Sequence, residues 1–271
     1  MKASSTRSVL VTGASSGIGA ATADLLARSG FRVAGTSRDP DRAAQRLPHI
    51  EWVSMDVRDD ASVSEGVKRA IDRIGGLDAL VCNAGIGIFG SVEEVPLHAA
   101  REQFETNWFG TLRTLRAALP ELRRARDARV AIVGSLAGRA PIPFQAHYSA
   151  SKAALDALAQ ALHNELFGTG VSVSLIEPGD IHTAFNDATD FELVRNSSYG
   201  ERAARCREVI ERSLESAPGP EIVARTILRA LTTRNPRVRY AVGPDARLVS
   251  FARRWLPERV GLRLIRRHFR V

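Results

Sequence analysis

One segment limits the possible folds more than any other: SVLVTGASSGIGAATADLLARSG, residues 8–30. Val9-Leu10-Val11 is a short apolar run, suited to a strand buried on both faces of a parallel sheet. Thr12-Gly13-Ala14-Ser15-Ser16-Gly17-Ile18-Gly19 follows, then an amphipathic helix ending at Gly30. Gly13 permits a tight turn, Gly17 lets backbone approach a phosphate, and Gly19 lets the helix pack near the strand. The helix N-terminus, around Ser15 to Ile18, offers free N–H groups and a positive dipole end to a pyrophosphate. The glycine spacing means little alone. Between a strand and a helix it points to a dinucleotide-binding turn.

The rest of the chain repeats that alternation. Apolar runs at Phe31–Thr36, Ile50–Met55, Leu77–Cys82, Arg129–Gly134 and Val171–Ile176 read as strands. Helical segments are expected at about 61–74, 97–125, from Ala146 onward, and at 220–233, with a short strand near 238–242. Short connections between alternating strands and helices imply an α/β, doubly wound parallel sheet, the Rossmann fold, in one domain spanning 1–271. Its parts are a cofactor-binding and catalytic core at 8–183, a C-terminal substrate lid at 184–217 and a basic helical tail at 245–271. The lid is expected because TAFNDATDFELVRNSSYG has no clean period and follows a strand's C-terminal end, where insertions overhang the ligand crevice.

Two stretches carry chemistry. Tyr148 and Lys152, four residues apart in a helical segment, project from one face. Ser135 follows an apolar strand run, so a hydroxyl, a phenol and an ammonium can converge on one polar site. The chain has 35 arginines but only three lysines, which makes a lysine at 152 worth explaining. Ser37-Arg38 stands at the end of the second strand, where an NAD-selective site would place a carboxylate on the adenosine ribose. A guanidinium pairs with a 2′-phosphate that a carboxylate would repel, so NADP is favoured over NAD. Asp39 precedes Pro40 and reads as a cap or turn residue.

Composition bounds the alternatives. The net charge of +8 is uneven: residues 195–271 hold 18 arginines against seven acidic residues. A basic end with no recognition motif or aromatic stacking platform does not make a nucleic-acid-binding protein. The tail from Asp245 carries eight arginines among Phe251, Trp255, Leu256, Leu262, Leu264 and Phe269. Docking on its own fold or on a second subunit is preferred there over a membrane surface. Two cysteines form no disulfide framework, six scattered histidines show no ligand spacing, and no metal is expected. His147 and His182 read as structural. The apolar run in MKASSTRSVLVTG is too short for a secretory signal, and no stretch approaches the ~20 apolar residues of a membrane span. The expected compartment is the cytoplasm.

Together these residues resemble the classical short-chain dehydrogenases/reductases. The shared pattern is Thr12-Gly-x-x-x-Gly-x-Gly19, Asp56-Val57, Asn83-Ala84-Gly85, Asn107, Ser135, Tyr148-x-x-x-Lys152, and Pro178-Gly179 with Thr183. Cys82 departs from it, standing where the family commonly has a second Asn. The tail looks like those of bacterial members similar to hydroxysteroid and retinol dehydrogenases. The resemblance implies that Tyr148 is the proton donor in carbonyl reduction, with its pKa lowered by Lys152. Lys152 would also hold the nicotinamide ribose, Ser135 the substrate oxygen, and Asn107 a water beside Lys152. Asp56 and Val57 would contact the adenine, Asn83, Ala84 and Gly85 would lie along the cofactor, and Pro178, Gly179, Ile181 and Thr183 would border the nicotinamide. It further implies a homodimer or homotetramer.

The expected activity is interconversion of a ketone or aldehyde and an alcohol on a lipophilic small molecule. Ile88, Phe89, Phe144 and Phe185 are candidate walls of an apolar substrate pocket. An isomerase or dehydratase on the same fold is disfavoured by the glycine spacing and chain length. A non-catalytic cofactor sensor or scaffold has no need of Ser135, Tyr148 and Lys152 together.

Overall fold

The computed structural model describes residues 6–183, 198–252 and 255–271. β1 (Ser8–Val11) is buried along its whole length, as a strand flanked on both faces must be. β2 (Arg32–Ser37) lies on one side of it, followed by β3 (Glu51–Ser54). On the other side come β4 (Ala79–Cys82), β5 (Ala128–Val133), β6 (Val171–Pro178) and β7 (Arg239–Val242). All seven run parallel in the order β3-β2-β1-β4-β5-β6-β7. The order reverses direction at β1 and β4, and crevices open at such a reversal beyond the strands' carboxyl ends.

Helices cover both faces. α1 (Gly17–Arg28), α2 (Pro40–Arg46) and, from the far end of the chain, α8 (Glu221–Thr232) pack on one. α3 (Asp60–Ile74), α5 (Gly110–Leu122) and α6 (Ala146–Glu165) pack on the other. α3 shows why its sequence is helical. Asp59 caps its N-terminus by accepting from the Ser62 N–H. Val63, Val67, Ala70 and Ile74 form the buried stripe, and Gly75 ends it in the left-handed region.

Three features differ from the sequence expectation. The long helix at 97–125 is α4 (Leu97–Phe104) and α5, joined by a π-helical turn at Glu105–Phe109 that contains Asn107. α2 occupies a stretch expected as turn: Asp39 accepts from the Arg42 N–H and Pro40 stands at N1. Within the expected lid, residues 184–197 lie outside the described residues, while Gly200–Glu215 forms a regular helix, α7. α9 (Pro244–Ala252) and α10 (Glu258–Phe269) complete the chain, with α10 lying on α7. No helix among the described residues is long and apolar enough to cross a membrane.

Candidate active site

The carboxyl ends of the strands open into one cleft of about 1120 Å³. That exceeds the few hundred Å³ a small ligand occupies and suits a dinucleotide plus a second molecule. Gly13, Ser15, Ser16, Gly17, Ile18, Ser37, Arg38, Asp56, Val57, Asn83, Ala84, Gly85, Ser135, Tyr148, Lys152, Pro178, Gly179, Ile181 and Thr183 all line it.

The turn after β1 is tied to the end of β4. Thr12 Oγ1 accepts from the Asn83 and Ala84 N–H groups at 3.0 and 3.1 Å. Asn83 Nδ2 donates to the Thr12 and Gly13 carbonyls. Gly17 has φ +53°. A Cβ on Gly19 would sit 2.1 Å from the Gly13 carbonyl oxygen, so only glycine lets the helix begin there. Gly19 therefore supports the turn from beneath and does not line the cleft. Thr183 closes over it: a Cβ on Gly17 would meet the Thr183 Cβ at 3.4 Å. The turn brings the N-terminus of α1 to this part of the cleft, which fits a pyrophosphate.

At one end lies a basic group. Arg38 is exposed at the end of β2, and Arg42 and Arg46 from α2 line the same wall. Among the described residues none of the three guanidinium groups has a carboxylate within 4 Å. Asp39 also lines this wall, with its Oδ1 accepting from the Arg42 N–H at the start of α2. Asp56 is held by Arg58, whose Nη2 donates at 2.7 Å, and this hydrogen bond keeps the carboxyl below its ordinary range. Arg42 and Arg46 escaped the sequence reading because α2 did.

At the other end the three polar groups meet. Ser135 caps the short 3₁₀ turn Leu136–Gly138, and its hydroxyl lies beside that of Tyr148. A Cβ on Gly138 would lie 2.9 Å from the Lys152 carbonyl carbon, so this turn rests directly on α6. Lys152 is 5% exposed; its Nζ donates to the Val133 carbonyl at 3.0 Å and lies 5.7 Å from the Tyr148 ring centre. Burial pushes the Lys152 pKa down to about 8. Burial raises that of Tyr148, against the lowering pull of Ser135. The net direction is upward, opposite to the lowering that the resemblance implies.

Asn107 does not line the cleft. Its Oδ1 accepts from the Ile86 N–H at 2.8 Å, and its Nδ2 donates to the Ile86 carbonyl and to Ser151 Oγ. It sits beneath Gly85: a Cβ there would be 3.1 Å from Asn107 Oδ1 and 3.7 Å from Lys152 Nζ. The π-turn directs this side chain inward at the loop after β4.

The expected apolar wall is displaced. Phe89 is fully buried and Ile88 nearly so. Phe89 stacks on Phe144 with ring centres 5.8 Å apart, one layer behind the cleft surface. Phe144 has φ +60°, which turns its carbonyl to accept from the Gly90 N–H at 2.7 Å. Phe185 lies outside the described residues. Ile142, Ile210, Leu214 and Phe269 line the cleft instead. Phe269, from the end of α10, packs on the Phe89, Ala203 and Cys206 cluster. Both cysteines are free and buried. Two periodicities carry the missed wall: Ala203, Cys206 and Ile210 on α7, and Gly261, Ile265 and Phe269 on α10. No group of side chains able to hold a metal ion occurs among the described residues.

Comparison with known proteins agrees with this geometry. Residues 7–192 match the family model described as short chain dehydrogenase. The chain is 34% identical over 253 residues to 3-ketodihydrosphingosine reductase of Bacteroides thetaiotaomicron, covering 92% of this chain and 93% of that protein. It is 36% identical to human 17-beta-hydroxysteroid dehydrogenase type 1, covering 86% of this chain and 76% of the human protein. A short-chain dehydrogenase from Streptomyces avermitilis superposes with a TM-score of 0.78 at 30% identity, covering 93% of this chain and 97% of that one.

Proposed function

We propose, from the premise that this chain belongs to the short-chain dehydrogenase family, that it is an NADP(H)-dependent reductase of a lipophilic ketone or aldehyde, or the corresponding alcohol dehydrogenase. Membership makes it an oxidoreductase working between C–OH and C=O with a nicotinamide dinucleotide. The observation that carries the finer reading is the convergence of Ser135 and Tyr148 on the cleft, with Lys152 one turn along the same helix, at the apolar end of a cleft whose other end is basic.

When bound, the cofactor supplies or accepts hydride. The protein supplies binding, aim and a proton. The N–H groups at Ser15 to Ile18 hold the pyrophosphate. Arg38 and Arg42 pair with a 2′-phosphate. Asp56 and Val57 border the adenine, and Asn83 and Gly85 line the path between. Pro178, Gly179, Ile181 and Thr183 border the nicotinamide. Ser135 Oγ donates to the substrate oxygen and fixes its distance from the Tyr148 hydroxyl. Tyr148 gives its proton to that oxygen during reduction and takes one back during oxidation. Lys152 stabilises the resulting phenolate, and Asn107 keeps the Gly85–Ile86 loop against Lys152. Ile142, Ile210, Leu214 and Phe269 take the apolar body of the substrate. Two relatives are named for a ketosphingoid and for hydroxysteroids, which supports a lipophilic substrate. Assembly as a homodimer or homotetramer is part of the same proposal.

Nicotinamide absorbance with a panel of lipophilic ketones, run with NADPH and with NADH, tests it. The expected result is turnover that rises with apolar chain length and favours NADPH by at least about tenfold, the share of one charge-assisted pair. NADH preference would overturn the cofactor assignment, and turnover confined to small polar carbonyls would overturn the substrate class.

A further inference from the structure

Between 248 and 264 lie most of the exposed large apolar side chains of the described residues. Leu248, Phe251 and Trp255 are 69, 69 and 73% exposed, and Val260, Leu262 and Leu264 are 40, 48 and 50% exposed. None of the residues of α10 is fully buried. At 3.6 residues per turn, Gly261, Ile265 and Phe269 form the half-buried stripe, which meets α7 at its Phe269 end. Arg259, Arg263, Arg266 and Arg267 occupy the opposite side, flanked by Val260 and Leu264. Among the described residues these four arginines have no carboxylate within 4 Å.

Exposed apolar groups beside an unpaired basic face select the partner. A second copy of this chain brings like charge against like charge, which opposes association. A nucleic-acid duplex neutralises the arginines but gains nothing from an exposed Trp255, Leu256 and Phe251. An anionic lipid surface satisfies both, taking apolar side chains into its interfacial layer and pairing arginines with phosphates.

We propose that α9 and α10 bind the surface of an anionic phospholipid membrane, with Trp255 and Leu256 entering the interface and Arg259, Arg263 and Arg267 contacting headgroups. The opposite stripe of α10 ends in Phe269, which lines the cleft, so the bound surface lies next to the substrate end. That last link rests on the reading of the cleft given above; binding to lipid does not.

Trp255 is a built-in reporter, because Trp52 is buried and Trp108 is partly buried. The full chain is titrated with vesicles of equal parts phosphatidylcholine and phosphatidylglycerol, and with phosphatidylcholine alone, following Trp emission and co-sedimentation. We expect a blue shift and sedimentation with the mixed vesicles, at least about tenfold weaker with the neutral ones. Trp255→Phe removes the shift. Arg259→Gln, Arg263→Gln and Arg267→Gln together lower partitioning on the order of a hundredfold, at about a fivefold loss per arginine. Leu256→Asn lowers it through the apolar contribution alone. Unchanged NADPH affinity in each variant shows that the fold is kept. The proposal is overturned by absence of binding, or by equal binding to neutral vesicles. It is also overturned by a blue shift on concentrating the protein alone, which would mean a second copy, or by an equal shift with duplex DNA. None of these readouts uses turnover, so failure here leaves the catalytic reading standing, and the reverse.

Discussion

The two ends of the cleft are built in different ways. The dinucleotide end is built around a backbone turn: glycines and helix N–H groups held in place by the Thr12 and Asn83 side chains, which stitch β1 to β4. Its parts come from short, contiguous segments. The substrate end is made of side chains brought from far apart, Ile142 before α6, Ile210 and Leu214 on α7, and Phe269 two residues from the C-terminus. The first end fits a ligand of fixed geometry. The second can change shape by substitution in helices that carry no strand, so one scaffold can keep its cofactor while changing its substrate.

Lys152 joins the two ends, and its removal should have the largest effect. Its ammonium is pushed to about 8 from 10.5, so between these values the unfolded chain holds more protons than the folded one. Stability therefore rises as pH increases across that window, and below it the buried charge costs about 3 kcal/mol. Lys152→Met should abolish turnover yet melt higher at pH 7, by roughly 1–2 kcal/mol after the lost bond to the Val133 carbonyl is subtracted. The gap over wild type should close towards pH 10. Thermal melts across pH check this, and a variant that melts lower throughout would contradict it.

The next effect belongs to the dinucleotide end. Arg38→Ala with Arg42→Ala should weaken NADPH binding by roughly 10- to 100-fold and leave NADH unchanged. Fluorescence titration with both cofactors measures it, and an equal loss for both would mean that the arginines act on the fold. The smallest effect is expected at the substrate end. Phe269→Ala should raise KM for a lipophilic ketone by about tenfold with NADPH affinity unaltered, since one apolar contact is worth roughly 1–3 kcal/mol. A change in cofactor affinity instead would show that the two ends are not independent.

The same contrast explains what could be read without a structure. The strands, their parallel order and the convergence of Ser135, Tyr148 and Lys152 follow from apolar runs and local spacing. So does Asp39 as a cap. The π-turn at Asn107 is hard to see in a helical pattern, because each flank keeps its own 3.6-residue period and only the phase between them slips by one residue. Phe89 read as a pocket wall because it follows Gly-rich loop residues. Burial against Cys206 and Ala203, more than a hundred positions away, decides its place. Phe269 reads in sequence only as one of several apolar tail residues. Its position on the cleft depends on α10 docking along α7, a contact no local pattern encodes.

The central claim is that the Tyr148 hydroxyl is the proton donor to the carbonyl. Tyr148→Phe removes one oxygen atom and keeps the ring, and the most direct measurement pairs its NADPH affinity with its rate of NADPH oxidation by a lipophilic ketone. We predict affinity within about twofold of wild type and a rate reduced at least about 10³-fold, the scale of a lost general acid with its positioning. A variant that binds NADPH normally and still turns over near the wild-type rate would contradict the account.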